Sequence, residues 1–215
     1  MIARSYFRSL FFAINAPSYS GDDAAVVLWW LVRSDHHLRI VAEYAFSYQH
    51  IPDVAGEIKT TDRRLGIKDI AYTVANPTLF SKRSPSFRGI PGEYVSETFA
   101  RYDVSLMPAD DDDLNGWSRV HELLRDAPDG DPWLTIDSSC EQLVKQLRSA
   151  MSDEQKPEEL ASYAPALHAL RYGAMSRPAP EAVMCDVQVP IGSPAYVMRE
   201  LRAGAANGRM FGRVR

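Results

Sequence analysis

Residues 24–46, AAVVLWWLVRSDHHLRIVAEYAF, decide the fold. Two runs, 24–32 and 38–46, are crowded with β-branched and aromatic side chains. The polar RSDHH between them has the length and composition of a hairpin connection. Upstream, SLFFAIN (9–15) is a continuous apolar run ending in a polar residue, which suits a central strand. APSYSGDD separates it from the hairpin and reads as a turn. Three strands in a meander therefore open the chain.

Downstream the pattern alternates. IPDVAGEIKTTDRRLG (51–66) has helical spacing at Ile51, Val54, Ala55 and Ile58, with Gly66 as a stop. IKDIAYTVAN (67–76) reads as a buried strand, and residues 76–92 as a long polar loop with three prolines. A helix is expected over 93–102, a short strand over 103–109 and a helix over 110–126. A strand is expected over 132–137, and a helix over 138–151 capped by Asp137 or Ser138. The last helix, ELASYAPALHALRYGAM (159–175), ends near Gly173. After Arg177 four prolines break the pattern. The expected division is a domain over 1–177 and an irregular extension over 178–215. The order β-β-β-α-β-α-β-α-β-α-α predicts an α/β fold with helices on both faces of a mixed sheet, the ribonuclease H-like order.

The 215 residues are 46% hydrophobic and carry a formal charge of −4, enough chain for one sizeable core, with no bulk charge that demands a nucleic-acid partner. The two cysteines, Cys140 and Cys185, lie far apart. A reduced, cytoplasmic setting is the default, and a single disulfide stays open. The apolar start is too short to span a bilayer and is followed by no cleavage site, so no membrane role is expected.

Several motifs taken in order resemble the C-terminal nuclease domain of the phage terminase large subunit. SLMPADDDDLNGW matches a strand ending before an acidic, glycine-containing helix start, TIDSSCEQLVKQL a cysteine helix, and Ala169-Leu170-Arg171-Tyr172 the last helix signature. FFAINAPSYSGDDAAVVLWW and YTVANPTLF match the first strands and the strand that ends in Ala-Asp-Pro. The resemblance covers residues 8–175. It implies a ribonuclease H-like fold and metal-dependent DNA cleavage during packaging in a bacterial host. It further implies Mg²⁺ or Mn²⁺ as cofactor, and double-stranded DNA, portal or motor proteins as partners.

Two divalent ions flanking a phosphate need anionic oxygen ligands. The positions that carry the family's three aspartates hold Asn15, Asn76 and His168 here. All three are neutral at pH 7, so little or no Mg²⁺-dependent cleavage is expected. Glu43 on the third strand reaches the same sheet end in one reading. With His168 and the asparagines it then forms a site for a softer ion such as Mn²⁺. In the other reading Glu43 is an exposed strand residue. Asp22 and Asp23 are read as turn residues. His36 and His37 are adjacent in a hairpin, where side chains point apart, and are not taken as ligands.

Asp110 to Asp113 are read as the cap of a helix. The run also matches an acidic stretch of the resembling family that borders a binding groove, which makes Asp112 and Asp113, with Arg171 of the last helix signature, further candidate site residues. Lys82, Arg83 and Arg88 in SKRSPSFR fit phosphate contact, and fit a solvated basic loop equally. The tail after Glu200 carries Arg202, Arg209, Arg213 and Arg215 and no acid, so DNA or partner contact and disorder both stay open. No Gly-rich phosphate loop of the Walker type occurs, so the chain is not expected to power packaging alone. A separate nuclease domain, a remnant and a pure interaction module remain open.

Overall fold

The computed structural model describes residues 5–13, 25–33, 35–46, 50–81, 83, 92–152 and 164–177. Among the described residues six strands form one sheet: β1 (Ser5–Phe12), β2 (Ala25–Val32), β3 (Leu38–Phe46), β4 (Ile70–Ala75), β5 (Met107–Pro108) and β6 (Leu134–Ile136). Their spatial order is β5-β4-β1-β2-β3-β6. Within it β1–β2 and β2–β3 pair antiparallel, while β1–β4, β4–β5 and β3–β6 pair parallel. Every strand except β2 therefore ends on the same side of the sheet. The helices are α1 (Ile51–Arg64), α2 (Thr78–Ser81), α3 (Val95–Arg101), α4 (Asp113–Leu123), α5 (Glu141–Ser152) and α6 (Pro165–Met175).

The middle strand shows why the layers form. β2 is buried on both faces, and its side chains alternate between two cores. Val26, Leu28 and Trp30 pack with Val120 of α4, Leu143 of α5 and Leu167 of α6. Ala25, Val27 and Trp29 pack with Val54 and Ile58 of α1, Leu79 of α2 and Phe99 of α3. The expected mixed sheet with helices on both faces is present. A polar bridge crosses the second core. Arg8 of β1 is 6% exposed. It donates to Thr73 Oγ1 at 3.0 Å and to Asp62 Oδ2 of α1 at 2.9 Å, and Trp29 Nε1–H donates to Asp62 Oδ1 at 2.7 Å.

The differences from expectation have physical causes. β1 lies earlier than 9–15, because its ladder with β2 starts by pairing Ser5 with Val32. Asn15 falls outside the described residues. The expected loop after Asn76 contains the four-residue helix α2. The helix expected from 138 starts at Glu141. Its first N–H groups are not capped by Asp137 or Ser138: Glu43 of β3 accepts from Gln142 N at 3.0 Å and from Leu143 N at 2.7 Å. Asp137 instead holds the turn before it, accepting from Ser139 N at 3.1 Å. Gly173 does not stop α6, which runs to Met175. The expectation of an irregular segment over 178–215, with its tail arginines, lies outside the described residues. Among the described residues, no helix is long and apolar enough to cross a membrane.

Candidate functional site

β1 and β4 run parallel side by side and end together. Asn76 follows the last residue of β4 and is 5% exposed. Its Oδ1 accepts from Phe12 N at 3.0 Å, and its Nδ2 donates to Phe12 O at 3.2 Å and to Thr78 Oγ1. The backbone partners fix which way the amide points, because Phe12 N can only donate and Phe12 O can only accept.

His168 comes to the same strand end from α6. Its ring lies on Phe11, with centroids 4.8 Å apart and planes 15° from parallel. Tyr172, one turn on, lies 6.3 Å from the histidine ring. The structure thus brings two of the three sequence candidates, Asn76 and His168, against Phe12 and Phe11, the last two residues of β1. The third, Asn15, lies outside the described residues, as do Asp22, Asp23, Lys82 and Arg88.

α6 is held there by a buried cation. Arg171 is 1% exposed. Its guanidinium reaches Asp111 Oδ1 at 2.7 Å and Asp113 Oδ1 at 2.8 Å. Tyr172 Oη donates to the same Asp111 oxygen at 2.9 Å. Burial, then the nearby Asp111 charge, raises the Tyr172 phenol above its ordinary value, so it stays a donor. The acidic run is divided between two tasks. Asp111 and Asp113 clamp Arg171, while Asp112 caps α4 by accepting from Asn115 N at 3.0 Å. That bond holds the Asp112 carboxyl below its ordinary value. Gly116 lets the arginine pass, since a Cβ there would lie 2.4 Å from Arg171 Cγ.

The remaining sequence candidates are placed as follows. Glu43 is half-buried rather than exposed, and both carboxylate oxygens serve the start of α5. Arg83 is exposed, donates to Tyr94 Oη at 3.2 Å and stacks over that ring at 4.5 Å. His36 is exposed while His37 is buried, so the neighbours do point apart. His37 lies between Asp35 (3.4 Å) and Asp129 (3.6 Å). Cys140 is a free, buried thiol, and Cys185 lies outside the described residues. Burial, then the charges of Glu43 and Asp137, push the Cys140 thiol up to about 12. Cys140 is expected to resist iodoacetamide at mildly alkaline pH until the chain is unfolded, because the thiolate is the reactive form. Peptide mapping by mass spectrometry checks this, and rapid modification of the native protein contradicts it.

The described donors at this sheet end do not fit a hard divalent ion. The one amide oxygen of Asn76 already accepts a backbone N–H, and His168 supplies ring nitrogens where magnesium favours anionic oxygen. Asp111 faces a buried guanidinium. Among the described residues, no three or more His, Cys, Asp or Glu side chains are grouped to hold a metal. The sequence did not signal the part played by Phe11 and Phe12: an apolar run says nothing of which side chain or backbone group meets a ligand position.

No protein-family model matches the chain, and no curated protein sequence matches it. Solved structures do. The nuclease domain of the P22 large terminase matches with a TM-score of 0.54 at 16% identity, over 81% of each chain. The large terminase nuclease of thermophilic phage G20c matches with a TM-score of 0.48 at 13% identity, over 81% of this chain and 82% of that one. The first likeness shows the fold, the ribonuclease H-like α/β architecture of a terminase nuclease domain, as the element order predicts.

Proposed function

We propose that this chain is a terminase-nuclease-like domain in which DNA cleavage is lost or severely weakened. Contact with double-stranded DNA, or with portal and motor proteins of phage packaging in the bacterial cytoplasm, is what remains. One observation carries the loss. At the sheet end where two-ion cleavage needs carboxylates, Asn76 uses its amide oxygen and nitrogen on the backbone of Phe12. Retained contact is supported by the likeness, over 81% of each chain, to the P22 large terminase nuclease domain. The competing proposal, an Mn²⁺-dependent endonuclease built on Glu43 and His168, is weakened by the two backbone N–H groups that Glu43 already binds.

Incubation with supercoiled plasmid in Mg²⁺, and separately in Mn²⁺, is expected to leave the plasmid intact. Fluorescence anisotropy with a labelled duplex is expected to show salt-sensitive binding in the range of about 10⁻⁴ to 10⁻⁶ M. Nicking in either metal overturns the loss of cleavage. Silence in both assays leaves the protein-partner role, to be sought with portal and motor proteins.

A further inference from the structure

We infer that Asn76 acts as a strand-end latch, a side-chain amide that completes the sheet where the backbone of β4 cannot. The last ladder pair between β1 and β4 joins Leu10 to Ala75. Asn76 follows, and the chain then turns into α2 at Thr78, so β4 offers Phe12 no further backbone partner. The N–H and C=O of one strand residue project toward the same edge, and those of Phe12 project toward β4. With β4 ended, both groups would lose their partners at a half-buried position, a costly arrangement.

The Asn76 amide replaces the missing peptide group. Its oxygen takes the Phe12 N–H at 3.0 Å and its nitrogen takes the Phe12 carbonyl at 3.2 Å. The second amide hydrogen goes to Thr78 Oγ1, while Asn76 O accepts from Leu79 N at 3.1 Å. One residue thus ties β1, β4 and α2 together. Only a side chain with a donor and an acceptor on adjacent atoms can do this. A carboxylate has two acceptors, and one would face the Phe12 carbonyl with like charge. A side chain one methylene longer would have to fold back on itself. The position therefore favours the amide for stability, the opposite of what a metal ligand requires. The latch is independent of whether the chain cuts or binds DNA.

The test uses the full chain and three variants, Asn76→Asp, Asn76→Ala and Thr78→Val, followed by urea unfolding and amide hydrogen exchange. Asn76→Asp and Asn76→Ala are expected to raise the unfolding equilibrium constant about ten- to a hundredfold. Millimolar Mg²⁺ is expected to leave the Asn76→Asp loss in place. The Phe12 amide of Asn76→Ala is expected to exchange faster, while that of Leu28 in β2 keeps its protection relative to global unfolding. If the Asn76 variants do not fold, Thr78→Val loosens only the exposed side of the amide and should speed Phe12 exchange several-fold. Unchanged stability and Phe12 exchange would overturn the latch. So would recovery of Asn76→Asp by Mg²⁺, since the position would then still be a ligand position.

Discussion

Replacing Asp62 by alanine is expected to cost about 3–5 kcal/mol of unfolding free energy, the range found when one partner of a buried ion pair is removed. Asp62 is 19% exposed and its partner Arg8 only 7% at the side chain. The substitution leaves the Arg8 guanidinium with Thr73 alone, and leaves the Trp29 indole N–H without an acceptor. Burial already pushes the Arg8 guanidinium below its ordinary value, with the Asp62 charge opposing that shift. Small domains hold about 5–15 kcal/mol in all, so this one change removes a large share. Urea unfolding of Asp62→Ala checks the magnitude, and a loss below about 1 kcal/mol would mean that water reaches Arg8 freely. The double variant Arg8→Met/Asp62→Leu separates pairing from packing. It removes both charges together, so it should recover most of the loss.

Gly173→Ala is expected to destabilise the chain by about 1–3 kcal/mol, although alanine is the better helix former. The intrinsic gain is about 1 kcal/mol for an interior glycine. Against it stands a steric conflict. A Cβ at 173 would lie 2.3 Å from Trp30 Cζ2 and 2.4 Å from Cε2. The indole cannot move aside cheaply, because its N–H donates to Ser9 Oγ at 2.9 Å and its ring stacks on Phe7 at 5.3 Å. Gly56 in α1 supplies the control. It is exposed, and a Cβ there meets nothing within 4 Å, so Gly56→Ala should gain close to 1 kcal/mol. Opposite signs for the two substitutions in thermal unfolding support the close approach of α6 to the sheet. The same sign for both contradicts it.

Motif order singled out Asn76 and His168, and the structure places both against the end of β1. Their engagement was not legible, because nothing in TVANPTLF says that the amide faces Phe12 rather than solvent. Glu43 shows the same limit. The β-branched and aromatic content of 38–46 put it on a strand, but the N–H groups it binds lie 99 and 100 residues away. Such contacts depend on how two elements approach each other, which local pattern does not encode.

The acidic run was read as a helix cap, and Asp112 is one. That Asp111 and Asp113 reach Arg171, some 60 residues on, needed the packing of α6 across Gly116. By itself, the sequence determined the elements and their order, because the spacing of apolar side chains and the turn residues are local properties of the chain. The runs at 24–32 and 38–46 made the hairpin, and the later alternation of strands and helices made the mixed sheet. Only the tertiary structure decided which polar groups meet. The buried Arg8 and Arg171, the amide of Asn76 and the carboxylate of Glu43 each take partners from another element, because burial leaves an unpaired polar group too costly to keep.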